Sequence, residues 1–173
     1  MYTELGVDLK ALGCIMLEVN HLKVSDIVPE EELYFSDNMQ YAQGIVSEWS
    51  LAHVTLLYGL MQSGKDLKQY VDLLLDGINL SKVTISHIET FDNVDNDTEY
   101  SVYVARVEVT PELAEANGNL RKLPHIDGFA EYKPHITLFY AKRNEDIKAQ
   151  LLGELNGRFA GKKVSTKEIN YGD

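Results

Sequence analysis

The chain has 173 residues, of which 45% are hydrophobic and 25% charged, as is typical of one globular domain. No apolar run reaches the roughly 18 residues that a membrane span needs, and the N-terminus lacks the basic start of a secretion signal. The single cysteine excludes an intrachain disulfide and favours a reducing, cytoplasmic location. A net charge of −11 without a basic stripe argues against long nucleic acid, so we expect any nucleotide ligand to be small.

The predicted elements alternate between strands and amphipathic helices, without a linker or low-complexity segment. Strands are predicted from β-branched and aromatic runs, and helices from apolar residues at helical spacing or from capping residues. In chain order they are a strand at 12–19, a helix start at 29, a strand at 52–58, a helix at 65–75, strands at 83–91 and 100–109, a helix at 110–118, a strand at 134–140, a helix at 144–155 and a short strand around 164. This pattern predicts one α/β (α+β) domain over residues 1–173.

Two segments share one pattern, because HVTLLY at 53–58 and HITLFY at 135–140 match at His, Thr, Leu and Tyr. Each is predicted to form a strand followed by a helix, so we expect two similar lobes related by a pseudo-twofold axis. Side chains alternate along a strand, which puts His53 and Thr55 on one face, ~7 Å apart, and His135 and Thr137 likewise.

The same alternation makes a prediction about the residues that follow each threonine. It puts Leu57 and Phe139 on the face of the histidines, and Tyr58 and Tyr140 on the opposite face. We therefore interpret the two tyrosines as core packing rather than as contacts for a nucleobase.

A pair of facing histidines can catalyse transfer at phosphorus. Imidazole titrates near neutral pH, so one ring can deprotonate an attacking hydroxyl while the other protonates the leaving oxygen. Threonine hydroxyls can donate to the non-bridging oxygens, where negative charge accumulates. If the lobes face each other, His53, Thr55, His135 and Thr137 converge on one cleft, and we predict them as the catalytic group.

A metal site is the competing interpretation. His125 and Asp127 lie near His135 in the chain and could supply nitrogen and oxygen ligands. The threonines are poor ligands, however, and no cluster of His, Asp or Glu accompanies His53. We therefore predict no metal and no other cofactor.

The paired H-x-T motifs, and PHITL at 134–138 in particular, resemble those of the 2H phosphoesterase superfamily over most of the chain. The resemblance implies two pseudo-symmetric lobes, each an antiparallel sheet with packed helices, facing across a central cleft. It further implies that His53 and His135 are the general base and acid, in an order left open, and that Thr55 and Thr137 hold the phosphate. Within the superfamily the short acidic chain is most similar to phage anti-CBASS phosphoesterases, which implies hydrolysis of cyclic di- and trinucleotides in the host cytoplasm.

Two other functions stay open. An RNA-end 2′,3′-cyclic phosphodiesterase would use the same residues, although the missing basic stripe argues against it. A non-catalytic sponge would hold cyclic nucleotides without cleaving them, although both His-Thr pairs are intact. The oligomeric state is not predicted.

Five residues are candidate substrate contacts outside the motifs. Tyr34, Trp49 and Tyr171 could stack on a nucleobase, which needs a flat apolar surface. Lys133, just before the second motif, could face a phosphate, and Glu168 could accept a hydrogen bond from a base edge.

Overall fold

The computed structural model describes residues 13–34, 51–91, 100–126 and 131–172. Within these ranges the chain forms six strands and three α-helices. The strands are β1 (Gly13–Val19), β2 (His53–Leu60), β3 (Lys82–Phe91), β4 (Tyr100–Val107), β5 (His135–Lys142) and β6 (Lys163–Asn170); the helices are α1 (Lys68–Leu75), α2 (Pro111–Leu120) and α3 (Glu145–Phe159); and Glu30–Glu32 is a single 3-10 turn. No helix in the described ranges combines the length and apolarity needed to cross a bilayer.

All six strands pair antiparallel, in the order β2-β1-β6-β3-β4-β5. The order is the same from either end: an outer strand that carries an H-x-T motif, its neighbour, and an inner strand. The two halves join where the inner strands, β6 and β3, pair with each other. The predicted two-lobed α+β architecture is confirmed, with both lobes contributing to one continuous sheet.

The helices pack against strands of both lobes. α3 packs against β3, while α2 packs against both α1 and β2. The motif strands β2 and β5 stand at opposite ends of the strand order, yet their Cα atoms approach within 8 Å. The sheet must therefore curve strongly, as twisted sheets do, and this curvature brings the two H-x-T motifs together.

Some element bounds differ from the predicted ones. α1 begins at Lys68, after turns at 64–67, and α3 continues to Phe159. The largest difference is β6, a full strand in the middle of the sheet where the sequence indicates only a short one. Its residues alternate too weakly in polarity to mark a strand, and pairing on both sides supplies the missing stabilisation. As a result Ile169 and Tyr171 pack against the core.

Candidate active site

A β-bulge interrupts the first motif strand directly after its threonine. Thr55 pairs with Met16 and Leu57 pairs with Ile15, so Leu56 is an extra residue that no residue of β1 opposes. A bulge of this kind breaks the alternation of side chains between the two faces. Leu56 and Leu57 can therefore both enter the core, where their exposed fractions are 0% and 4%.

The second motif strand has a bulge at the equivalent place. Leu138 is the extra residue between Thr137 and Phe139, and both Leu138 and Phe139 are fully buried. The prediction that Leu57 and Phe139 share a face with the histidines is wrong, because it assumed unbroken alternation. Tyr58 is likewise 55% exposed instead of packed in the core, because the bulge returns its side chain to the face of β2 that carries His53 and Thr55.

The backbone holds both motif histidines in the same way. Nδ1 of His53 lies 3.1 Å from the carbonyl oxygen of Leu51, and Nδ1 of His135 lies 3.0 Å from that of Lys133. A carbonyl can only accept, so each Nδ1 must carry a proton and donate it. Nε2 is then an acceptor in the neutral ring and a donor in the imidazolium, which suits either half of an acid–base pair.

The surroundings of His135 favour its neutral form. Burial is the main cause that lowers the pKa of His135, and the charges of Arg106 and His53 act in the same direction. The ring of Phe91 lies edge-on to the imidazole, with centroids 5.0 Å apart. The strands that carry His53 and His135 approach each other within 8 Å between Cα atoms. A neutral imidazole with Nε2 as acceptor is the form required of a general base.

A cavity of about 360 Å³ opens beside His135 and Thr55. Its volume falls in the range of small-molecule sites, and its walls are largely apolar, as such sites usually are. The rings of Tyr58, Phe91 and Tyr132 contribute to the walls. These flat surfaces can stack on a nucleobase.

His125 and Ile126 line one side of the cavity, and the segment that holds them pairs with the end of β2. The amide of Ile126 donates to the carbonyl oxygen of Gly59 at 2.7 Å, and the amide of Met61 donates to that of Pro124 at 3.1 Å. Gly59 has a φ of 87°, and a Cβ there would lie 2.6 Å from the carbonyl oxygen of Ile126. Only glycine fits this close approach without strain.

Tyr132 connects the segment before β5 to the first motif strand. Its hydroxyl donates to the carbonyl oxygen of Thr55 at 2.9 Å. Burial raises the pKa of this hydroxyl, which therefore remains a donor throughout the physiological range. The bond bridges β2 and the start of β5, the two strands that carry the motifs.

The structure brings the predicted catalytic residues together to different degrees. Thr55 and His135 both line the cavity. His53 lies two residues before Thr55 on the same face of β2, and Thr137 two residues after His135 on the same face of β5. Neither His53 nor Thr137 is among the residues that line the cavity.

The predicted substrate contacts separate more widely. Lys133 lines the cavity, and its carbonyl oxygen orients His135. Glu168 is exposed on β6 outside the cavity lining. The hydroxyl of Tyr171 donates to Asp72 on α1, also away from the cavity. Tyr34 stacks on Tyr100, with ring centroids 5.1 Å apart, and is not among the residues that line the cavity. Trp49 lies outside the described residues.

The alternative metal site gains no support from the described residues. Nδ1 of His125 donates to the carbonyl oxygen of Leu123 at 2.7 Å, and Asp127 lies outside the described ranges. Within those ranges, no group of three or more His, Cys, Asp or Glu is arranged to hold a metal ion.

Several residues of the site carry no signal in the sequence. Phe91, Arg106 and Tyr132 belong to no motif, and each reaches His135 or Thr55 only through strand register or a long-range contact. A register could be guessed from the pattern of apolar residues, but the bulges shift it.

A sequence model of the 2′-5′ RNA ligase superfamily matches residues 22–170. Among curated proteins, none matches the chain significantly. The structure of Kluyveromyces marxianus Usb1 is similar with a TM-score of 0.53 and 13% identity, over 95% of both chains. The structure of the same protein with uridine monophosphate has a TM-score of 0.45 and 14% identity, over 86% of this chain and 82% of the other. At such low identity the likeness to the first structure shows a shared fold alone.

Proposed function

Since the chain belongs to the 2′-5′ RNA ligase superfamily, whose members are phosphodiesterases, we propose that it hydrolyses phosphodiesters with His53 and His135 as its acid–base pair. The observation that carries the proposal is the matched pair of histidines. Both rings have Nδ1 bound to a backbone carbonyl, and both stand on strands that approach each other. This leaves two Nε2 atoms available for proton transfer at one phosphate.

The neutral state of His135 favours it as the base, which leaves the role of acid to His53. Nε2 of His135 would take the proton of a ribose 2′-hydroxyl as its oxygen attacks the adjacent 3′–5′ phosphorus. Nε2–H of His53 would protonate the leaving 5′-oxygen as the phosphorus–oxygen bond breaks. The product is a 2′,3′-cyclic phosphate, which water opens to a 3′-phosphate with the two roles exchanged.

The threonines would stabilise the charge that develops during this reaction. Thr55 and Thr137 lie on the same strand faces as the histidines, and their hydroxyls can donate to non-bridging oxygens. The attacking hydroxyl belongs to the same nucleotide as the phosphate, so proximity lowers the barrier further. No metal ion is needed for these steps.

We favour small cyclic oligonucleotides as the substrate, in a cytoplasmic counter-defence role. The net charge of −11 disfavours a long polyanion, whereas a ligand with two or three phosphates meets less repulsion. The cavity beside His135 would receive one base of the ring. An RNA-end 2′,3′-cyclic phosphodiesterase is the second candidate, because a cavity of this volume also suits a single terminal nucleoside.

The proposal is tested by incubating the protein, in the presence of EDTA, with three substrate classes in separate reactions. These are cyclic dinucleotides, cyclic trinucleotides and RNA that ends in a 2′,3′-cyclic phosphate. We expect one class to be cleaved, and His53→Ala and His135→Ala each to lower kcat by roughly 10²–10⁴-fold. His21→Ala, at an exposed position in the loop after β1, is the matched control and should retain full activity.

Three results would decide against the proposal. Activity that EDTA abolishes would indicate a metal-dependent reaction. Activity that survives in both His53→Ala and His135→Ala would place catalysis elsewhere. Release of intact cyclic nucleotide from denatured protein, with no cleavage by the wild type, would indicate the sponge.

A further inference from the structure

Arg106 occupies the position on β4 directly opposite His135 on β5. Side chains of directly opposed residues in antiparallel strands project from the same face and are neighbours. Arg106 therefore stands beside the imidazole on the cleft face of its lobe. Its side chain is only 23% exposed, which is low for an arginine.

A carboxylate fixes the guanidinium from one side. Nη1 of Arg106 donates to Oε1 of Glu89 at 2.8 Å. The other oxygen of Glu89 lies 3.1 Å from Nε2 of His87, and Nδ1 of that ring lies 2.9 Å from the hydroxyl of Ser86. Because Glu89 is held at both oxygens, the guanidinium plane has a defined orientation.

The other edge of the guanidinium has an unused donor. Nε of Arg106 is buried and has no hydrogen-bond partner among the described residues. Buried donors without a partner are rare in folded proteins, and each one calls for an explanation. The N–H bonds of Nε and Nη2 point in the same direction, and this edge forms bidentate bonds with phosphate. With Nη1 bound to Glu89, Nε on the other edge has no partner among the described residues.

We propose that the Nε–Nη2 edge of Arg106 binds the non-bridging oxygens of the phosphate at which His135 acts. This rests on the proposed function, which makes the cleft a phosphodiester site, and adds a phosphate ligand outside both H-x-T motifs. The phosphate would supply the acceptor that buried Nε lacks. Arg106 would thereby stabilise the charge that builds up on those oxygens as the hydroxyl attacks.

The charges that face Arg106 are consistent with an anion at this point. The positive charge of Arg106 contributes to the lowered pKa of the His135 imidazole. Glu89 offsets the cation only on the Nη1 side. A phosphate on the Nε side would complete the neutralisation of the cluster.

Inorganic phosphate is the probe, because its binding does not depend on base preference. Phosphate is titrated into the protein while the ring resonances of His53 and His135 are followed by NMR. We expect saturable shifts of the His135 ring in the wild type. Arg106→Gln should raise the dissociation constant about ten- to a hundredfold, the usual effect of removing hydrogen bonds to a charged group.

Two further variants separate a bidentate contact from general charge and from folding. Arg158→Gln removes the same charge from a surface arginine that binds Asp26 through two bonds of 2.7 Å, and it should leave phosphate affinity unchanged. Arg106→Lys keeps the charge without the fork and should weaken binding by an intermediate factor. If Arg106→Gln does not fold, the phosphate affinity of Arg106→Lys is compared with that of the wild type instead.

The proposal is overturned if the wild type shows no saturable phosphate binding, if Arg106→Gln and Arg106→Lys bind as well as the wild type, or if Arg158→Gln weakens binding equally. Cleavage assays on the same samples keep the two proposals apart. Cleavage without an effect of Arg106 on phosphate binding would overturn this inference alone. Phosphate binding that requires Arg106, without cleavage of any substrate, would overturn the proposed function alone.

Discussion

The hydroxyl of Tyr132 joins the two motif strands, and its removal tests how the cleft is held. Tyr132→Phe deletes the 2.9 Å bond to the carbonyl oxygen of Thr55 and preserves the ring that lines the cavity. A hydrogen bond contributes about 0.5–1.5 kcal/mol, and a buried acceptor left unpaired raises the loss to about 1–3 kcal/mol. In a domain of this size each kcal/mol corresponds to about 2–4 °C in Tm. We therefore expect Tm to fall by several degrees.

The same substitution should affect catalysis more strongly than stability. The bond fixes the segment before β5 against β2, and so fixes the position of His135 relative to Thr55. A displacement of about 1 Å between reacting groups can cost ~10²-fold in rate. We expect kcat to fall about ten- to a hundredfold in initial-rate assays with EDTA, and circular dichroism on heating gives Tm.

Tyr70→Phe is the matched control, because Tyr70 is 59% exposed on α1. It should change neither Tm nor kcat. If Tyr132→Phe behaves like this control in Tm, the bond to Thr55 contributes nothing to folding. If Tm falls but kcat/KM is preserved, the bond does not position the catalytic groups, and the reasoning about the cleft is refuted.

Two further predictions concern the cavity wall and the base. Gly59→Ala should lower the free energy of unfolding by about 1–3 kcal/mol in chemical denaturation, because its φ of 87° and the 2.6 Å approach to Ile126 oppose a side chain. Gly153→Ala, in α3 where an added Cβ meets nothing within 4 Å, should instead gain about 0.5–1 kcal/mol, and losses at both sites would contradict the strain argument. In the pH profile of kcat/KM, the acidic limb should lie below 6.5, since a lowered pKa keeps His135 neutral at lower pH. In Arg106→Gln the acidic limb of the remaining kcat/KM should move to higher pH, because the substitution removes a cation that lowers the pKa of His135. An acidic limb at the wild-type pH would show that it reports the titration of a group other than His135.

The motif residues could be predicted because their signal is local. His53, Thr55, His135 and Thr137 repeat in two six-residue segments, and β-branched and aromatic neighbours mark both segments as strands. The repeat also predicts the two-lobed fold, since two similar halves must bury similar faces. These conclusions need no knowledge of which strand pairs with which.

The bulges could not be predicted in this way. Alternation along a strand is a local rule, whereas a bulge depends on how the partner strand is registered against it. The matched bulges at Leu56 and Leu138 therefore reversed the predicted positions of Leu57, Tyr58 and Phe139. The full length of β6 could not be predicted for a related reason, because its stabilisation comes from both neighbouring strands and not from its own pattern.

By itself the sequence determined the two matching H-x-T segments, their strand conformation and the strong negative charge of one α+β domain. Only the tertiary structure decided which groups surround those histidines. Arg106 reaches His135 through the register of β4 with β5, and Tyr132 reaches Thr55 across 77 residues of chain. Such contacts arise from packing between segments that are distant in the chain, and they cannot be predicted from the composition of either segment alone.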